Sequence, residues 1–490
     1  MKVPPPPEVN QKPPDLPEVP PSAGIEDPSS LVGFETVNAP PESHGKTWKA
    51  GTLTYTSAGL AILFFWLLWG DFAWSLKERS VGPVVQLLFK KFGASNMLVG
   101  LLVGSLPQII GMIFTPIISY RSDRHRGRWG RRIPFLLIPT PIAALSMIAL
   151  ALSPALGVWV HHLLGAHSPG LNTVVLIFFG VFWTLFEFAS IAANAVFGAL
   201  INDVVPRPLL GRFFGLFRAL SLIAGMVFNY WLMGKAEVYY VWMFAGIGAL
   251  YGGGVSLMCT RVKEGGYPSP PAIPATQCAG FFGATKTYFK ECYSNPYYLC
   301  FFAMAAFGSM AAASVNLFNV FFAKSVNMSL DQYGKYVALT YFISLVMTYP
   351  LGWLADRFHP FRMALGVHVL YILITLWSGL FATDTSTYTI ALVATGVIAG
   401  CGMTVGASIQ QHLFPRSRFA QFHSAAGLVV HVGAILVGPI VGRIIDLSDH
   451  VYRYSYLAAS CLSILGLIMG LMVYRKFMAL GGPRNYIAPE

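Results

Sequence analysis

Several ionisable side chains fall inside long apolar stretches, where a charge costs several kcal/mol unless it is paired or hydrated. Asp71 follows the uncharged stretch AGLAILFFWLLWG. Seven residues on, Glu78 returns to nearly the same helix face about 10 Å further along the axis, flanked by Lys77 and Arg79. Glu187 sits in VFWTLFEFASIAANAVFGAL with Asn194 two turns beyond it, Arg218 in GRFFGLFRALSLIAG and His431 in GLVVHVGAILVG. Buried carboxylates and imidazole can exchange protons, an amide can hydrogen-bond hydroxyls, and rings such as Trp74 and Trp183, near the acids, can stack on the C–H faces of a sugar. Each has a plainer reading. The first helix could stop at Leu76 and leave Lys77–Arg79 as a solvated exit, Arg218 could be an interface cation like the nearby Arg212, and His431 a hydrogen-bonded packing residue. No catalytic His/Asp cluster, CxxC or metal-ligand spacing accompanies them, so no enzyme, cofactor or metal is expected.

The elements that carry these residues are membrane spans. Of 490 residues 55% are hydrophobic and 11% charged, against about 25% charged in soluble domains. Apolar runs of the length a helix needs to cross a bilayer recur at 56–86, 97–118, 133–154, 172–200, 212–233, 239–259, 297–323, 333–354, 361–381, 388–411, 423–446 and 452–475. The polar stretch 260–296, with SPPAIP, divides them into six-span bundles, 56–259 and 297–477. Twelve of the first 41 residues are proline, so residues 1–55 should be a disordered tail, with a second short tail at 478–490. The net charge of +12 resides at the ends of apolar runs, which argues against nucleic acid. The loop after span two holds Arg121, Arg124, Arg126, Arg128, Arg131 and Arg132, whereas the loops after spans three and nine hold no Lys or Arg. By the positive-inside rule the Arg-rich loop and both termini are cytoplasmic.

The halves echo each other. SYRSDRHRGRWGRR closes span two and GWLADRFHPFR closes span eight, aligning Asp123-Arg124 with Asp356-Arg357, as internal duplication would. This pair of loops resembles the signature of the major facilitator superfamily. SDRHRGRWGRRIPF, DFAWSL with GPVVQLL, and GMIFTPIISYRSDR are similar to the sucrose/proton symporters and the wider glycoside–pentoside–hexuronide cation symporters. The resemblance implies an all-α membrane protein of twelve helices in two bundles, with span one running to Gln86. It places Asp71, Asn194 and Arg218 at a sugar site, with Asp71 facing Arg218, and puts His431 where the melibiose permeases of that group have a lysine. It makes Asp123, Arg124, Arg131, Arg132, Asp356 and Arg357 gating residues.

Two departures qualify it. Span two reads LLVGSLPQIIGMIFTPIISY without a carboxylate, and span four has no arginine before Arg207. A sodium site of the melibiose-permease design is therefore not expected, nor is sucrose assured. The expectation is a monomeric proton-coupled symporter of a sugar or glycoside in a bacterial inner membrane. Asp71, Trp74, Glu78, Trp183, Asn194, Arg218 and His431 would bind the sugar, and Asp71 or Glu187 would carry the proton. An efflux or organic-ion carrier of the same fold is the nearest rival, and a non-transporting sensor the more distant one.

Overall fold

The computed structural model describes residues 47–267, 288–406, 409–415 and 418–489. These hold eleven helical runs long and apolar enough to span a bilayer. One of them, Arg207–Arg261, has 55 residues; unbroken, it would reach about 80 Å, more than twice the hydrocarbon thickness. It is broken by a 3-10 turn at Met233–Lys235 and again at Tyr239, whose φ of −105° and ψ of 19° leave the helix. Both arms pack on the helix Ser57–Lys91, but the first also meets Leu330–Phe358 and the second the helix Pro139–Leu164. Taken as two spans, this run brings the number among the described residues to twelve. They are α1 (Ser57–Lys91), α2 (Asn96–Arg124), α3 (Ile133–His167), α4 (Leu171–Val204), α5 (Leu210–Val227) and α6 (Ala236–Arg261). The second half comprises α7 (Pro296–Ser325), α8 (Leu330–Phe358), α9 (Pro360–Phe381), α10 (Thr385–Gly406), α11 (Phe419–Leu447) and α12 (Tyr454–Ala479).

The duplication visible in the two Asp-Arg loops extends to the packing. Within the first half α1 packs on α5 and α6, α2 on α4, and α3 on α4 and α6. Within the second, α7 packs on α11 and α12, α8 on α10, and α9 on α10 and α12. Each pairing repeats six helices later. The contacts between halves obey the same relation, since α2 against α11 maps onto α8 against α5. Side chains such as Phe65, Leu145, Trp159, Trp242 and Tyr349 are exposed, as a lipid-facing belt requires, because lipid tails reward no polar exterior.

Local sequence sets the ends. Thr56 caps α1 by accepting from the Gly59 amide at 3.2 Å, and Ser95 caps α2 through Leu98 at 3.1 Å. Ser329 and Gln332 form a capping box on α8, which satisfies otherwise orphaned amides. Pro83, inside α1, has no N–H for the Arg79 carbonyl four residues earlier. α1 continues to Lys91, past the expected end at Gln86, so Lys77, Glu78 and Arg79 belong to the helix and not to a solvated exit.

The tails differ from expectation. Residues 48–55, expected in the disordered segment, form a two-stranded hairpin, Trp48–Ala50 against Leu53–Tyr55. The Thr52 hydroxyl accepts from the Gly266 amide at 2.7 Å, which ties the hairpin to the stretch after α6. At the other end the Tyr486 hydroxyl donates to the Leu413 carbonyl at 2.8 Å. The rest of the proline-rich segment, residues 1–46, and Cys278 lie outside the described residues.

Candidate functional site in the helix bundle

The two halves meet at the end away from the Arg-rich loop. There Asp446 of α11 accepts from the amides of Asn96 and Met97 at 3.1 and 2.9 Å and from Asn96 Nδ2 at 2.7 Å, a carboxylate seated on the first turn of α2. A side chain on Gly438 would collide with the Gly100 carbonyl, one on Gly442 with the Asn96 carbonyl, and one on Gly334 with the Asn229 carbonyl. Glycine permits this backbone-to-backbone approach. The first-half partners of two of these contacts lie in π-helical turns, Gly100–Ser105 in α2 and Phe228–Leu232 after α5, irregularities that collect at functional sites. Lys324 and Glu237 form an ion pair across the same end. At mid-depth His431 Nδ1 lies 2.7 Å from Gln108 Oε1. His431 thus joins α11 to α2, and it lines none of the cavities described below.

Two of the cavities between the helices hold expected site residues. The first, with about 690 Å³ of space, part of it open, is walled by α1, α2 and α4 and lined by Trp74, Lys77, Glu78, Trp183, Glu187, Ser190 and Asn194. Lys77 is buried to 1% exposure. Its ammonium is 3.1 Å from Glu78 Oε2 and 3.2 Å from Ser190 Oγ, and stands 4.2 Å from the centroid of Trp74 and 5.2 Å from that of Tyr251. A desolvated cation over aromatic faces gains about 2 kcal/mol, and the Glu78 carboxylate supplies its counter-charge. Glu187 lines this cavity half-buried, without a hydrogen bond or ion pair among those described.

The tryptophans are more committed to packing than a sugar platform would be. Trp74 stacks on Phe197 with centroids 5.6 Å apart, and Trp183 stacks on Phe186 while donating through Nε1 to the Leu102 carbonyl at 2.8 Å.

The second cavity, with about 1130 Å³ of space, part of it open, lies between the halves. Arg79, Arg218 and Asn229 line it from the first half, and Asn316, Asn319, Tyr333, Thr340, Tyr341, Ser344 and Thr395 from the second. Residues 78 and 79 thus divide α1 between the two cavities. The expected meeting of Asp71 with Arg218 is absent. Asp71 is fully buried, accepts from the Ser75 hydroxyl at 3.2 Å, and lines neither cavity. Arg79 stands beside Arg218 in the lining instead. Arg79 was known from the sequence only as a flank of Glu78, and its role depended on how far α1 runs.

Three of the expected gating residues, Asp123, Arg131 and Arg132, fall into a network within the first half. Arg131 reaches Asp203 at 2.8 Å and Arg132 reaches it at 3.1 Å, while Arg132 also pairs with Asp123. Glu264 accepts from the amides of Arg131, Arg132 and Ile133 at 3.0, 2.8 and 2.7 Å. The Tyr267 hydroxyl donates to Glu264 at 2.9 Å, and burial together with these carboxylates pushes its pKa up. Asp203 and Glu264 were missed. Each is a lone acid just past an apolar run, in NDVVP and VKEGG, and reads there as an ordinary solvated exit. Arg124 lies over the Tyr120 ring at 4.1 Å and Arg357 over Trp353 at 5.3 Å. The Asp356 side chain lies outside what is described.

The fold recurs in known transporters. A bacterial homologue of the human lysosomal transporter Spinster, in an inward-facing and unoccupied conformation, superposes with a TM-score of 0.59 at 16% identity, covering 88% of this chain and 98% of that one. A mutant of the nucleoside transporter NupG gives 0.62 at 12% identity, covering 84% and 100%. At these identities the likeness speaks for the fold. The sequence itself matches the MFS/sugar transport protein family over residues 61–429, most of its length. This multi-pass membrane protein therefore belongs to the MFS/sugar transport protein family, a family of transporters.

Proposed function

We propose that the chain carries a sugar or glycoside across the membrane by alternating access, coupled to protons. The observation that carries this reading is the inter-bundle cavity lined by amides, hydroxyls and tyrosines from both halves. Its neighbour holds a half-buried carboxylate, Glu187, with no hydrogen bond or ion pair among the described residues. Hydroxyl-rich cargo suits such a lining. With the Arg-rich loop facing the cytoplasm, the end closed by the glycine contacts is the outer one.

The coupling proton is assigned to Glu187, which lines a cavity, in preference to Asp71, which does not. Lys77 supplies a fixed cation beside Glu78, and α2 offers no carboxylate before Asp123, so no sodium is required. Rocking of the halves about the closed end would carry the site from one side to the other. Neither the bacterial inner membrane nor a monomeric state is needed for this mechanism; both remain part of the proposal.

Counterflow tests it. Proteoliposomes preloaded with a glycoside should accumulate the labelled compound transiently, and the glycoside from a panel that supports exchange identifies the cargo. A panel of sugars, glycosides and their acids that gives no exchange would refute sugar transport.

A further inference from the structure

We infer that the molecule carried bears an acid group, a carboxylate or a phosphate ester, clamped by Arg79 and Arg218. This deepens the proposed carrier function and rests on it. The second cavity takes a guanidinium from α1 and another from α5, and its described lining contains no Asp or Glu. The ion pairs among the described residues engage neither arginine.

What the two arginines do touch is neutral. Arg79 Nη2 donates to the Ser221 hydroxyl at 3.3 Å and its guanidinium lies 5.2 Å from the Tyr341 ring centroid. Arg218 Nη2 has the Met403 sulfur at 3.9 Å. Each guanidinium offers five N–H donors, so most of this capacity is unspent. The acids within reach along the sequence are committed elsewhere. Glu78 pairs with Lys77, and Asp71 is buried against Ser75.

Two like charges at membrane depth are costly unless something neutralises them, and a neutral glycoside would not. An anion arriving with the cargo would, since planar guanidinium forks match carboxylate and phosphate oxygens bidentately. The remaining amides and hydroxyls of the cavity, with Asn316 and Thr340 facing in from the second half, then serve the sugar hydroxyls.

The test uses the purified full-length protein and matched pairs: D-glucuronate against D-glucose for a carboxylate, and D-glucose 6-phosphate against D-glucose for a phosphate. Binding is read by titration calorimetry. The expected result is that one acid binds at least about tenfold more tightly than the neutral sugar, with affinity falling as sodium chloride rises. Arg79→Gln and Arg218→Gln should each weaken binding of the acid more than that of the neutral sugar and so erase that preference, and Arg218→Lys should restore part of it. Size-exclusion profiles establish that each variant is folded, and the lysine variant serves if a glutamine variant is not.

Equal or tighter binding of the neutral sugar, binding of neither acid, or an acid preference that survives the double glutamine variant would overturn the inference. Counterflow of a neutral glycoside by the wild type, with its matched acid neither exchanged nor competing, would sink the anion clamp and leave the carrier function standing.

Discussion

Replacing Gly438 with valine should force the closed end apart. A Cβ at Gly438 would stand 2.6 Å from the Gly100 carbonyl oxygen, whereas real Cβ contacts essentially never fall below 3.0 Å. The obstacle is backbone on both sides, so no side chain can swing away. Overpacking of this kind costs about 1–3 kcal/mol, and here the cost falls only on the conformation in which α2 and α11 touch. At about 1.4 kcal/mol per factor of ten, the closed-to-open ratio at this end should drop roughly 5- to 150-fold. Spin labels on Lys91→Cys and Asp449→Cys, both exposed at that end, report the separation by double electron–electron resonance in a background without native cysteines. Gly438→Val should shift the distance distribution to longer values and slow exchange. Gly111→Val, on the same helix α2 with open space around its Cβ, should do neither. An unchanged distribution with native exchange for Gly438→Val would refute the view that glycine contacts form the gate.

Asp203→Asn removes the hub shared by Arg131 and Arg132. Because Arg132 keeps Asp123, the loss should be about 2–3 kcal/mol, below that of a fully broken buried pair, visible as a lower unfolding temperature; an unchanged one would make the network ornamental. Glu78→Gln strands the buried Lys77 ammonium and should lower stability, whereas Lys77→Met/Glu78→Gln should recover much of it; a double variant no better than the single would contradict the pairing. Asp71→Asn should fold and retain counterflow, since Asp71 lines neither cavity, and loss of exchange would return it to the binding site.

Much of the architecture was legible because it depends on one-dimensional signals. Apolar run length marked the spans, clustered arginines marked one end, and the paired Asp-Arg loops disclosed the duplication that the helix pairings repeat. Side-chain direction was less legible. Asp71 and Glu78 share nearly one helix face, yet Asp71 packs inward against Ser75 while Glu78 opens on a cavity. The difference lies in what surrounds each turn of α1, which spacing alone does not encode. Arg79 was undervalued for a related reason: its meaning depended on whether the helix ended at Leu76 or ran to Lys91. Partners of the gating arginines came from α4 and the stretch after α6, more than 70 residues away for Asp203 and Arg131, and isolated acids at helix ends carry no mark of such long-range pairing. The glycines of the closed end could not be told from the many others among 48 until the helices were set side by side.

The most direct measurement of the central claim is gradient-driven uptake in proteoliposomes, comparing the wild type with Glu187→Gln. A pH gradient, alkaline inside, should drive accumulation of the exchanged substrate by the wild type and collapse with a protonophore, while a sodium gradient at fixed pH drives none. Glu187→Gln should keep counterflow and lose accumulation, because exchange needs the site but not the moving proton. Uptake driven by sodium and indifferent to the protonophore, or full accumulation by Glu187→Gln, would contradict the mechanism.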